Sequence, residues 1–156
     1  MTYQLDDIDK KILDFLVENT RMPFTEIAKQ MDVSAGTIHV RVKKMEDAGI
    51  ILGSSLNIDY GKLDYHFTAF IGILLTKSNR TQEVLKELAT IPNVIEASVI
   101  SGKYNIFCKV KAKNTEDAKR IIYQIDDIQD VMRTESMISM QEYLSDKNRL
   151  IDAVSI

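Results

Sequence analysis

Residues 24–48, FTEIAKQMDVSAGTIHVRVKKMEDA, read as two helices joined by a tight turn. Ile27, Ala28 and Met31 point inward from the first of them, which runs from Phe24 to about Met31 behind Pro23. A missing N–H costs little at that start. Ala28 is small where a following helix must cross closely. Asp32-Val33-Ser34 is the turn, and an aspartate tolerates the left-handed conformation such turns need. Ser34 is a good N-cap for the next helix, Ala35 to Ala48. Ile38, Val42 and Met45 form its core stripe at helical spacing, and Gly49 ends it. Ala35, Thr37, His39, Arg41, Lys43 and Lys44 lie off the stripe. Two such helices are the shape of a helix-turn-helix DNA reader. A three-helix bundle with no DNA role has the same periodicity; the tight turn, the small polar start and the clustered bases favour the reader.

Working outward, Leu5 to Asn19 reads as a first helix. Asp6 and Asp7 suit its N-terminus, and Ile8, Ile12, Phe15 and Leu16 make its stripe. Asp9, Asp14 and Glu18 are expected on its other faces. Ile50 to Asp59 reads as a short strand pair or wing, with Tyr60-Gly61-Lys62 as the hinge. The expected organisation is a winged helix-turn-helix domain over 1–60, a hinge over 61–65 and a second domain over 66–156.

The second region has another rhythm. His66 to Thr76 is apolar on both alternating sets, which marks a strand covered on both faces. A helix over Thr81 to Ala89, strands over Val94 to Ser101 and Ile106 to Lys113, a helix over Thr115 to Asp126 and a strand over Val131 to Met140 follow. Asn114 or Thr115 caps the second of these helices. Residues 141–156 read as a helix or a flexible end. Strand, helix, strand, strand, helix, strand is the ferredoxin-like βαββαβ order, so the fold class is α+β. Its first and third strands are central, and helices cover one face. The doubly apolar first strand implies that a second subunit covers the other, giving a homodimer formed sheet to sheet.

The chain has 156 residues and a net charge of −3. Residues 1–60 carry 7 Lys/Arg against 10 Asp/Glu, and residues 61–156 carry 13 against 13. A DNA binder of this balance needs a locally basic face or several copies acting together. The single cysteine excludes an intrachain disulfide and fits a reducing cytoplasm. Phe70 to Leu75 is too short to cross a bilayer, which takes about 20 residues, so no membrane partner is expected. His39 and His66 lack companions at metal-ligand spacing, and phosphate loops, nucleophile elbows and HExxH are absent. No enzyme, catalytic residue, metal or cofactor is expected.

If α-helical residues 35–48 meet DNA, roles follow from geometry. Ser34, Ala35 and Thr37 reach base edges or a thymine methyl. His39 and Arg41 lie further along, with Arg41 reading guanine or clamping phosphate. Lys43 and Lys44 suit phosphates, which position without specifying. Ser101-Gly102-Lys103-Tyr104-Asn105 connects two strands. A hairpin turn with Gly102 at positive φ accounts for it, although its aromatic and hydrogen-bonding groups exceed what a turn needs. Arg133-Thr134-Glu135-Ser136 reads as an outward polar strand face. Cys108 reads as a buried small apolar group.

The run LDDIDKKILDFLVENTRMPFTEIAKQMDVSAGTIHVRVKKMEDAGII, residues 5–51, resembles the N-terminal signature of the Lrp/AsnC family, the feast/famine regulators of bacteria and archaea. Asp6, Ile8, Asp9, Ile12, Leu13 and Leu16, then Val33-Ser34, Thr37, Arg41, Met45-Glu46 and Gly49-Ile50-Ile51, carry it. SAGTIHVRVKKMEDAGIILG and FIGILL are most similar to the asparagine-responsive AsnC branch. The resemblance implies a transcriptional regulator whose second domain senses an amino acid, asparagine among the candidates. It implies dimers assembling to octamers, with the effector between dimers near Gly102, Lys103, Tyr104 and Asn105. The resemblance also implies that Thr134 and Ser136 of a neighbouring subunit form the other wall. Lys103 stands where the family often has an acid, Asn105 where Asp is common, and Asp32 where glycine is frequent. Two other readings stay open: an architectural DNA binder without effector, and a ferredoxin-like small-molecule-binding protein whose helical domain docks partners.

Overall fold

Asp6 starts the first helix by exchanging hydrogen bonds with Asp9. Asp6 Oδ1 accepts from the Asp9 N–H at 2.9 Å, and Asp9 Oδ2 accepts from the Asp6 N–H at 3.2 Å. This capping box satisfies two donors that a helix start leaves orphaned. Helix α1 then runs Asp7–Glu18, α2 Phe24–Gln30 and α3 Ala35–Asp47 in a computed structural model that describes residues 3–146 and 148–154. Asp32 takes φ 54° in the turn between α2 and α3, as the sequence suggests. Ser34 caps α3, its hydroxyl accepting from the Thr37 N–H at 3.1 Å, and Gly49 follows at φ 72°. Ile12, Ile27, Ile38 and Met45 are wholly buried between the three helices.

Asp9 departs from the sequence expectation. Periodicity puts it on an outer face of α1, yet it is 1% exposed. Its carboxylate accepts from the Tyr3 hydroxyl at 2.9 Å and from Arg41 Nη1 at 2.9 Å. Arg41 also donates to Asp6 at 2.7 and 2.8 Å. One guanidinium therefore ties the start of α1 to the middle of α3. Helical periodicity cannot show such a charge as buried, because its partner lies 32 residues away.

The wing is a second departure. Residues 51–59 form no strand. Tyr60–Leu63, expected within the hinge, form a 3-10 turn capped by Asp59. The tail is a third. Residues from Leu144 onward group with the helical unit and not with the sheet domain, which spans Ile58–Tyr143. Asn148–Ala153 make a 3-10 turn, and Ile151 packs against the helical core. An apolar residue this close to the end was legible; its destination was not.

The second unit has strands β1 Phe67–Leu75, β2 Val94–Val99, β3 Ile106–Ala112 and β4 Val131–Ile138, with helices α4 Thr81–Leu88 and α5 Thr115–Asp126. The strands pair antiparallel in the order β2-β3-β1-β4, so β1 and β3 are central. Alternation sends Ile71, Ile73, Ile106, Cys108 and Val110 under α4 and α5, where they are buried with Val84, Leu88, Ile121 and Ile125. Asn114 caps α5, accepting from the Asp117 N–H at 2.9 Å. Burial pushes the Cys108 thiol up to about 11, as suits an inert core group.

The other face of the sheet carries Phe70, Gly72 and Leu74 from β1 and Phe107, Lys109 and Lys111 from β3. Phe70 stacks on Phe107, with ring centroids 5.9 Å apart. Glu142, beyond β4, bridges Lys109 and Lys111 and reaches the Thr68 hydroxyl. These two ammonium groups hold the Glu142 carboxyl well below its usual value near 4.5, at about 2.

Two outcomes follow. Asp9→Asn leaves Arg41 with Asp6 as its remaining carboxylate and puts an amide N–H among the donors that Asp9 accepts from; it costs roughly 2 kcal/mol, less than the about 3–5 of a fully buried pair because Arg41 is part-exposed. Asp6→Asn keeps a competent cap and costs under about 1 kcal/mol; denaturant unfolding of the full chain separates the two. Glu142 is depressed in the folded state, so its contribution is complete above about pH 4.5 and is lost as pH falls toward 2. Glu142→Gln lowers the thermal midpoint at neutral pH and flattens its fall across that window.

Candidate nucleic-acid interface and effector site

The core stripe Ile38, Val42 and Met45 fixes how α3 is rotated. The residues opposite it are Gly36, Val40, Lys43 and Asp47, one turn apart along the outer side. Ser34 and Thr37 sit at the amino end, their hydroxyls 2.9 Å apart. Ala35 is half-buried against the helical core, and His39 is exposed with its ring 6.0 Å from that of Phe24. Lys43 and Lys44 are exposed, Lys43 pairing with Asp47 at 2.7 Å. That pairing raises the Lys43 ammonium above its ordinary range.

Arg41 is the residue whose setting differs most from the sequence expectation. It lies on the flank of α3, beside the core stripe and facing α1. Its guanidinium is raised further by hydrogen bonds from its donors to Asp6 and then Asp9. Asp6 is lowered in turn, first by the Asp9 N–H and then by Arg41. All three bonds to the two carboxylates leave from Arg41 Nη1, and they hold the guanidinium toward α1. Two residues escaped the sequence reading. Val40 is 51% exposed, and Gly36 lies one turn before it. The signal was present: both fall opposite the stripe on a helical wheel.

On the sheet domain, the loop before β3 turns at Gly102, where φ is 113°. Tyr104 then lies flat over β1 on the face away from the helices. A Cβ at Gly72 would come within 2.7 Å of its ring, so that position admits no side chain. The Tyr104 hydroxyl donates to Glu135 of β4. Lys103 Nζ donates to both Glu135 oxygens at 2.7 and 2.8 Å, and Arg133 reaches the same carboxylate. Glu135 is accordingly held below the usual carboxylate range, by Lys103 first and Tyr104 second. Lys103 is raised in return.

Asn105 plays a different part. Its side-chain oxygen accepts from the Leu75 N–H and its own N–H donates to Ile73, both at 2.9 Å. It fastens the loop to the end of β1. Thr134 and Ser136 pair with Ile73 and Ile71, and therefore face the helix side of the sheet. Thr134 donates to Asp126 of α5 at 2.7 Å. Within one chain, Lys103, Tyr104 and Glu135 converge, whereas Thr134 and Ser136 project from the opposite face. Strand alternation alone makes Glu135 part of a polar strand face; its charge complementarity to Lys103 is the clue in the sequence to their pairing. Among the described residues no group of His, Cys, Asp and Glu is placed to hold a metal ion, and no helix is long and apolar enough to cross a membrane.

Two family models match. The AsnC-type helix-turn-helix domain matches residues 5–46, and the Lrp/AsnC ligand binding domain matches residues 68–148. The chain is 40% identical over 140 residues to the regulatory protein AsnC of Haemophilus influenzae, covering 89% of this chain and 93% of that protein. It is 38% identical to the regulatory protein AsnC of Escherichia coli K12, at 89% and 92% coverage. The solved structure of the E. coli AsnC protein is similar at a TM-score of 0.87 and 36% identity, covering 92% of this chain and 97% of that one. A Neisseria meningitidis transcriptional regulator solved as an L-Met complex shares the fold at TM-score 0.87 and 20% identity, covering 93% and 96%. With a helix-turn-helix whose outer face is open, and a four-stranded sheet domain behind it in sequence, this chain belongs to the Lrp/AsnC family of transcriptional regulators.

Proposed function

We propose that the outer face of α3 enters the major groove of duplex DNA, with Ser34, Ala35, Thr37 and His39 near base edges and Lys43 and Lys44 on phosphates. The observation that carries this is the rotation of α3. Its apolar stripe is consumed by the core, and both lysines are left exposed. Arg41 serves the same end indirectly, by holding α3 against α1 through Asp6 and Asp9. The protein acts in the cytoplasm.

The sheet domain senses a zwitterionic amino acid at the loop carrying Gly102, Lys103 and Tyr104. The Lys103–Glu135 ion pair supports this, since a cation and a carboxylate side by side complement an α-carboxylate and an α-ammonium. The protein of the same fold solved with L-Met is in keeping with an amino-acid ligand. Phe70, Leu74 and Phe107 leave an apolar strip on the open face, which a second copy would cover in a sheet-to-sheet dimer. Asn105 supports the loop, and Thr134 and Ser136 complete the effector site from a neighbouring subunit in an assembly up to an octamer. Effector binding then changes assembly or DNA affinity.

Thermal midpoints measured with a panel of the common amino acids, beside mass by light scattering and duplex affinity at fixed salt, test the sensing. One amino acid raises the midpoint and shifts mass or affinity; no response from any of them removes the effector reading. Lys43→Ala with Lys44→Ala weakens binding about equally across sequences and reduces the salt slope by about 2. Unchanged affinity, or none in the parent protein, sinks the DNA reading.

A further inference from the structure

Gly36 and Val40 are the residues of α3 that its own fold does not explain. Gly36 sits inside the helix with ordinary helical φ, and a Cβ there would meet only the Ser34 hydroxyl oxygen, at an unstrained 3.7 Å. Neither backbone conformation nor crowding requires a glycine, and helix propensity disfavours one. Val40, one turn later on the same side, is 51% exposed although it is β-branched and apolar. Thr37 and Lys44 border the same shallow concavity as these two residues. Arg41 lines the same concavity, with its guanidinium held by Asp6 and Asp9 at the α1 side.

We propose that Gly36 and Val40 form an apolar reading edge that selects a thymine in the major groove: the missing side chain at Gly36 lets the helix backbone approach closely, and the Val40 isopropyl group packs on the thymine 5-methyl. The methyl is the one apolar group displayed on a major-groove base edge. Val40 has no donor or acceptor, so a cytosine at that position loses the methyl contact and leaves its exocyclic amine without a partner. Thr37 and Lys44 flank the edge with a hydroxyl and a phosphate-reaching ammonium. This inference rests on the DNA reading proposed above and adds to it which base chemistry is chosen and by which residues.

The test uses the full chain and duplexes recovered by selection from a pool with a randomised centre. Each thymine of a recovered duplex is replaced in turn by deoxyuridine, which removes only the 5-methyl. At one or two positions this weakens binding about fivefold, within the range of a single mismatched pair. Val40→Ala weakens the unmodified duplex by a similar factor, and the two losses do not add. Indifference to every replacement, or full additivity with Val40→Ala, overturns the role of Val40. Gly36→Ala raises the thermal midpoint by about 2–4 °C while weakening the recovered duplex more than an unrelated one. Equal losses on both duplexes, or no loss, overturn the role of Gly36. Failure to recover any duplex above the unselected pool is a separate result: it removes the DNA reading itself and this inference with it.

Discussion

The Asp9–Arg41 pair decides what α3 can present to the outside. Arg41 spans two carboxylates, and one of them is almost wholly shielded from water. A carboxylate in that position is tolerable only with its lone pairs occupied, and Tyr3, the Asp6 N–H and Arg41 occupy them. Removing the guanidinium from this cluster for a base contact would leave Asp9 uncompensated. The positive charge that sequence assigns to the recognition helix is thus partly internal. Lys43 and Lys44 remain for phosphates, with Glu46 and Asp47 close behind them in sequence.

The sheet domain solves the opposite problem. Its helix-covered face is plain apolar packing, but its other face mixes aromatic rings with charges. Tyr104 lies over Gly72, Phe70 stacks on Phe107, and Lys109 sits over the Phe70 ring at 5.7 Å. Two ionic clusters frame these rings: Lys103 and Arg133 around Glu135, and Lys109 and Lys111 around Glu142. Each gathers two cations on a single carboxylate. The framed strip is more charged than the helix-covered face, and its rings are half-buried among those charges.

Local chemistry made most of the architecture legible. Ser34, Asp32, Gly49, Asn114 and Gly102 all act as their residue types suggest, because caps and positive-φ turns are decided within four or five residues. Helical and strand periodicity located the core stripes of α3 and β3 in the same way. What failed was non-local. Asp9 is buried by a partner on another helix, and Glu142 is recruited by lysines on β3. The tail is captured by a core that begins at the other end of the chain. The expected wing rested on apolar residues around Gly53, but Leu52 and Leu56 are exposed and no ladder forms. The candidate effector residues divide along the same line. Gly102, Lys103 and Tyr104 come together within the loop, while Thr134 and Ser136 are turned to the other face by strand alternation.

Tying Arg41 to Asp6 and Asp9 bears on the consequence of the acidic balance. Residues 1–60 carry more acid than base even with Arg41 counted, and its charge is spent against Asp6 and Asp9. The electrostatic attraction of one copy for a polyanion is therefore small, and counterion release scales with the phosphates actually neutralised. Two remedies are physically available. One is linkage of copies, which makes each further contact intramolecular and multiplies weak terms. The other is to draw affinity from contacts that are not ionic, such as apolar packing against base edges. The first places the demand on the sheet domain and the second on the outer side of α3. In a chain of this charge the two demands are coupled, since the less one copy gains from phosphate, the more a linkage of copies or a non-ionic contact would have to supply.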